Sequence, residues 1–395
     1  MSFKMIPFLD LLENIVDNRG KTCPTEEDGI PLIATNCIRN ENLFPSFEKI
    51  RFVSQETYDN WFRGHPQPGD MIFVTKGTPG RVCWVPDPVN FCIAQDMVAV
   101  RANKDLIYPK YLFALLRSPQ IQHEIENMHV GTLIPHFKKG DFDKLFLPVF
   151  KDYDTQKKIG DIYFTFCDKI ELNRRMNRTL EEMAQALFRE LCTVPAGAAL
   201  PAGWAWKTIG DLYKTTSGGT PSRTKPEYFE NGEYFWVKSK ELYDTFVFDT
   251  EEKITESALE NSSAKILPAY TLLVAMYGAT VGQFSILGKE ATCNQAICAI
   301  LSNSNYKYSF IYSYLKDFKS DLMGRAVGSA QQNLSQVLIK SFEILCPPLD
   351  TIQAFQSLVA PYYKRILNNL EENRKLASLR DTLLPRLMSG ALDIS

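Results

Sequence analysis

The chain has 395 residues, of which 45% are hydrophobic and 23% charged, and its formal net charge is −2. These are globular proportions, with room for two or three cores; they exclude a disordered or fibrous chain. They also exclude a surface that binds nucleic acid all over, because phosphate affinity comes from lysine and arginine, which here would have to gather on one face or come from partner chains.

Residues 1–150 form a first mixed α/β domain. Within it Pro68 to Val74 reads as an entry turn and a short strand, followed by a glycine-bearing turn, Lys76 to Arg81. Ala94-Gln95-Asp96 then leads into another apolar run, and Phe146-Leu147-Pro148 closes the domain, since proline ends a strand. Residues 151–192 follow as one long amphipathic helix starting near Asp154. Its apolar positions step by threes and fours: Ile159, Ile162, Phe166, Ile170, Asn173, Asn177, Leu180, Met183, Leu187 and Leu191.

A linker rich in alanine, glycine and proline, 193–203, opens a second passage of the same kind. In domain 204–348, Pro268 to Val274 answers to Pro68 to Val74, and Tyr277 to Gln283 answers to the glycine turn. Asn294-Gln295-Ala296 answers to Ala94-Gln95-Asp96, and Leu345 to Pro348 to the closing strand. The second helix, 349–390 with a tail at 391–395, starts near Asp350 and repeats the stripe at a constant offset of 196: Phe355, Leu358, Tyr362, Ile366, Asn369, Asn373, Leu376, Leu379, Leu383 and Leu387. The expected architecture is therefore α+β and internally duplicated, with two long antiparallel helices, each about 55 Å, pairing as a coiled-coil-like rod. The asparagines on the stripe either fix register or lie at its water-facing edge. Their presence in both copies favours register.

Catalytic and metal signatures fail on spacing. Gly20-Lys21-Thr22 lacks the upstream glycine of a phosphate loop, position 15 being isoleucine. The acidic string Asp249 to Lys253 has its counterpart at Glu48-Lys49-Ile50 without the leading acids, and reads as a solvated turn. The four histidines, 65, 123, 129 and 136, have no metal-site spacing, and the nine cysteines form no C-x-x-C pair. No metal is expected. Scattered free cysteines, no leader pattern and no span of ~18 uncharged residues point to the cytoplasm.

The duplication, Asp350-Thr351-Ile352-Gln353 at the head of the second helix, and the C-terminal run Arg380 to Gly390 resemble the specificity subunit of type I restriction-modification systems. Gly328 to Leu334 and Gly131 to Pro135 are fainter matches. The resemblance implies that the α/β domains are target-recognition domains, each reading half of a split double-stranded DNA target, while the helices space them. It implies a non-catalytic chain that holds two methyltransferase subunits and restriction/motor subunits, with S-adenosylmethionine, ATP and magnesium belonging to those partners. Groove reading needs donors and acceptors on loops. The candidates are Arg19, Lys21, Lys76, Thr78, Arg81, Lys138 and Lys139 in the first domain. In the second they are Thr220, Ser222, Arg223, Lys225, Lys238, Lys240, Tyr277, Gln283, Arg325, Gln331, Gln332 and Asn333. Each is read against an ordinary alternative, a solvated charge or a turn-stabilising group. A two-headed protein scaffold without DNA is the competing function.

Overall fold

The computed structural model describes residues 2–18, 20, 22–128, 135–195, 197–326 and 333–391. The chain divides into two compact units, Met1–Asn173 with Glu372–Ser395, and Arg174–Glu371. The division falls inside both long helices, so each unit owns one α/β domain and half of each helix.

In the first unit the strands are β1 (Phe3–Pro7), β2 (Leu12–Val16), β3 (Ile30–Ile33), β4 (Arg51–Val53), β5 (Met71–Val74), β6 (Val82–Trp84), β7 (Cys92–Ile93), β8 (Met97–Ala102) and β9 (Phe146–Phe150). They form three small sheets, ordered β2-β8-β5-β6, β4-β3-β7 and β1-β9. Helix α1 (Gln55–Asn60) follows β4, and α2 (Pro109–Leu116) and α3 (Pro119–Met128) follow β8. Every side chain of β5 is buried, because the sheet is covered on both faces. Met71 and Phe73 enter one core with α2, while Ile72 and Val74 enter another with Cys83 and Met97, the period-two partition a strand imposes.

Helix α4 (Tyr153–Cys192) starts after Asp152, whose carboxylate accepts from the Thr155 amide at 2.9 Å as an N-cap. The second unit repeats the order: β10 (Ala205–Thr208), α5 (Ile209–Leu212), β11 (Lys214–Ser217), β12 (Tyr234–Val237), β13 (Phe246–Val247), β14 (Lys253–Ile254) and α6 (Glu256–Glu260). After these come β15 (Leu272–Ala275), β16 (Phe284–Leu287), β17 (Thr292–Cys293), β18 (Ile297–Leu301), α7 (Tyr308–Asp317), α8 (Lys319–Gly324), α9 (Gln336–Lys340), β19 (Glu343–Cys346) and α10 (Leu349–Met388). Its sheets are β11-β18-β15-β16-β13, β14-β12-β17 and β10-β19. Apart from the added edge strand β13, this is the first unit's topology strand for strand.

The backbone corrects two alignments made from sequence. Gly69 donates to the Val85 carbonyl and Tyr270 to that of Leu287, so Gly69 corresponds to Tyr270, one residue from the sequence pairing. Both sit at positive φ, +86° and +66°; the tyrosine takes a conformation that glycine occupies without strain. Strand pairing likewise sets Ile254 against Val53 rather than Ile50, which puts Glu252 where the first unit has Arg51.

The long helices each run 40 residues, ~60 Å. In the first unit the Asn173 amide donates to Asn373 at 2.9 Å; in the second the Asn369 amide donates to Asn177 at 2.8 Å. Since 173 and 177 correspond to 369 and 373 at the 196 offset, the two rungs are images of each other, and in both units the helices run antiparallel. Asn173, Asn177 and Asn369 are buried, so they lie within the helix pair and not at its wet edge. The stripe itself needs correction over part of its length. Met183, Leu358 and Leu379 are exposed to 44, 51 and 50%. Ile162, Phe166, Leu180, Leu187, Leu191, Tyr362, Leu376 and Leu383 are half-buried flanks. The residues buried in their place stand one position on: Tyr163, Cys167, Ala184 and Phe188, repeated as Val359, Tyr363, Arg380 and Leu384. Ile159, Ile170, Phe355, Ile366 and Leu387 are buried.

Candidate nucleic-acid interface

In the first unit the chain reverses between β5 and β6 through residues 75–81. The Thr75 and Lys76 amides donate to the Asp96 carbonyl at 2.8 and 3.2 Å, and the Phe137 amide donates to the Thr75 carbonyl at 2.9 Å. The Gly80 amide returns to Val74 at 3.0 Å. Gly77 and Gly80 have φ of +84° and +91°. A β-carbon on Gly80 would press Ile125 at 3.1 Å, whereas one on Gly77 would meet nothing within 4 Å, so the backbone at Gly77 faces open space.

The turn between β15 and β16 has the same wiring. Met276 donates to Ala296 at 2.8 Å, Leu334 to Met276 at 2.9 Å and Gly282 to Ala275 at 2.9 Å; Gly278, at +80°, again faces open space. The corresponding closing residues are Arg81 and Gln283. These turns bring together Lys76, Thr78 and Arg81 in one unit, and Tyr277, Gln283 and the exposed Asn333 in the other. Lys76 lies 3.7 Å from Asp96, and Thr78 Oγ1 is sealed from solvent without a hydrogen-bond partner among the described residues. Lys138 is exposed, and Lys139 lines a cleft with Asn14, Asp17 and Arg63.

The loop after β11 carries the remaining second-unit candidates. It is tied down by the Trp236 indole N–H, which donates to Gly219 at 3.0 Å, and by the Thr220 hydroxyl on Gln295. Ser222 bonds Thr224 at 2.8 Å, and the Lys225 ammonium bonds the Tyr228 hydroxyl at 3.0 Å. Three candidates are already neutralised. Arg223 stacks over Phe229 and pairs with Glu252 at 2.6 Å; Lys238 pairs with Glu251 at 2.9 Å, and Lys240 with Glu251 at 2.6 Å. The acidic string expected as a solvated turn is thus an ion-paired edge that continues into β14. Arg325 is engaged by Glu343 at 3.4 Å and lies over Phe342, in a cavity of about 400 Å³ with Trp206 and Phe318. Arg19, Lys21, Gln331 and Gln332 lie outside the described residues.

The reading from sequence missed Gln95 and Gln295, exposed glutamines at matching places between β7–β8 and β17–β18. The repeated Gln within Ala94-Gln95-Asp96 and Asn294-Gln295-Ala296 was the available signal. It also missed the polar side chains beneath the turns, Asn40, Gln122, Asp244 and Lys319, whose partners lie far off in the chain. Among the described residues no group of three or more His, Cys, Asp or Glu side chains could hold a metal ion. No helix among them is long and apolar enough to cross a membrane.

Lys240 and Lys238 hold Glu251 at a pKa of about 2, and the Arg223 hydrogen bond keeps Glu252 low. A depressed carboxylate contributes fully above its unfolded value, near 4.3, and loses that contribution only as pH falls toward 2. At neutral pH the acids therefore leave these bases only by competition, for which phosphate is suited. Replacing both, E251Q/E252Q, should raise affinity for duplex DNA about tenfold at low salt and steepen the dependence of log K on log salt. Binding titrations between 50 and 200 mM salt check this; an unchanged affinity and slope would remove Arg223, Lys238 and Lys240 from the DNA surface.

Two segments, 16–182 and 201–379, match the family model for the type I restriction modification DNA specificity domain, one match per repeat. The chain belongs to the type I restriction-modification specificity subunits. The HindI specificity subunit of Haemophilus influenzae is 26% identical, with 82% of this chain and 86% of that protein covered. The MjaIX specificity subunit of Methanocaldococcus jannaschii is 25% identical over 74% of this chain and 71% of that protein. The fold is shared with the crystal structure of a type I system S subunit from M. genitalium, at a TM-score of 0.61 and 16% identity, covering 100% of this chain and 97% of that one. As a specificity subunit the chain recognises a bipartite DNA target and assembles with the modification and restriction subunits of its complex.

Proposed function

We propose that each unit of this specificity subunit reads one half-site, through the turn closed by Arg81 in the first and by Gln283 in the second, and that the chain itself performs no chemistry. The observation that carries this reading is the repetition of the turn: the same hydrogen bonds present polar side chains around an uncovered glycine in both units. Gln95 and Lys138 flank the first turn, and Gln295, Thr220 and Asn333 the second. The helix pair, with each rung the image of the other, offers the same surface twice and so suits two copies of one methyltransferase subunit, with restriction/motor subunits joining them. S-adenosylmethionine, ATP and magnesium would be bound by those partners, in the cytoplasm. The ~60 Å helices set the number of unread base pairs between half-sites.

The test is selection of the assembled complex on a random duplex pool. Enrichment of a split motif with a fixed gap is expected; a two-headed scaffold would enrich none.

A further inference from the structure

The two turns are underpinned by equivalent latches of different chemistry. In the first unit the Val82 amide, opening β6, donates to Asn40 Oδ1 at 2.9 Å, and Asn40 Nδ2 donates to Gln122 Oε1 at 3.1 Å. Gln122 Nε2 in turn donates to the Gly80 carbonyl at 2.8 Å, inside the turn. In the second unit the Phe284 amide, opening β16, donates to Asp244 Oδ1 at 3.3 Å. Asp244, at φ +55°, is fixed by the Tyr312 hydroxyl on its carbonyl at 2.6 Å. The amide of α3 is replaced by an ammonium from α8: Lys319 Nζ lies 3.0 Å from Asp244 Oδ2 and 2.8 Å from Gln283 Oε1.

The difference has a chemical consequence. A free glutamine reads adenine with both ends of its amide, accepting from N6 and donating to N7. Gln283 has its oxygen committed to Lys319, which leaves its NH₂ as the outward group. Its counterpart Arg81 is donor-only by nature. We propose that Asp244 and Lys319 are positioning residues that make Gln283 a donor, so that this place in the second half-site selects a base offering acceptors to the major groove, guanine above all, and disfavours adenine. The inference rests on the reading that the turn enters the groove.

The experiment is random-pool selection with the full chain in its assembled complex, for wild type, Q283A, K319M and D244N/K319Q. Q283A tests the underlying reading and should flatten preference at one position of the second half-site; no change at any position would overturn that reading. K319M frees the Gln283 oxygen and should shift the same position toward adenine by about five- to tenfold, the first half-site staying unchanged. D244N/K319Q installs the amide latch of the first unit and should keep the wild-type preference, because the glutamine still donates to Gln283. A response to Q283A with none to K319M would overturn the latch. If K319M fails to fold, K319A is read in its place: a shift of the same position toward adenine supports the latch, and an unchanged preference overturns it. A loss of stability alone would move affinity at the half-site without changing which base is preferred.

Discussion

Phe188→Ala should destabilise the second unit by about 3–5 kcal/mol, the cost of emptying a fully buried aromatic site. Phe188 is 0% exposed, and its ring meets Phe355 at 5.7 Å, Tyr314 at 6.0 Å and Phe310 at 6.1 Å. It therefore fastens α4 to both α10 and α7. Hydrogen exchange should show β15 and β18 losing protection while β5 and β8 keep theirs. Met183→Ala on the same helix, at a side chain 44% exposed, should change stability by no more than about 0.5 kcal/mol. Equal costs for the two would contradict the burial pattern.

Arg117→Met should cost about 3 kcal/mol or more and weaken recognition of the first half-site alone. The guanidinium is buried and without a carboxylate partner among the described residues. It donates instead to the carbonyls of Arg39 at 3.3 Å, Asn40, and Asn42 at 2.6 Å, over the Phe113 ring. Removing it takes the shared donor from three part-buried carbonyls and the polar group from its own buried site. It also loosens the loop that carries Asn40, and hence the turn above it. Chemical denaturation gives the stability, and binding to duplexes carrying each half-site separately gives the functional effect. A loss shared equally by both half-sites would mean that Arg117 acts only through general stability.

The duplication, the two long helices and the strand–turn–strand around each glycine were legible because they rest on local patterns: short apolar runs rich in strand formers at β5 and β15, steps of three and four in the helices, and a constant offset between the helix copies. The stripe failed where threes and fours admit two neighbouring faces. Choosing Ile162 over Tyr163, or Leu358 over Val359, needs to know which face meets the α/β domain, which periodicity does not encode. Among the candidate site residues the turn positions were legible from glycine spacing. The pairing of Arg223, Lys238 and Lys240 with Glu251 and Glu252 was not, because the acid string was aligned three residues away from its true counterpart. The latches were hidden for a different reason: Asn40 meets Gln122, and Asp244 meets Lys319, only through long-range folding, and amide–amide and carboxylate–ammonium pairs share no motif.

In the proposed function the helix pair spaces two base-reading modules, and this spacing is open to experiment. It is tested most directly by inserting one heptad into each helix, beside Arg175 and beside Glu371, midway between the asparagine rungs. A heptad returns the stripe to nearly the same face and adds ~10 Å. Selection of the assembled complex should then yield the same two half-sites separated by a gap longer by up to about three base pairs. The same half-sites with an unaltered gap would contradict the account.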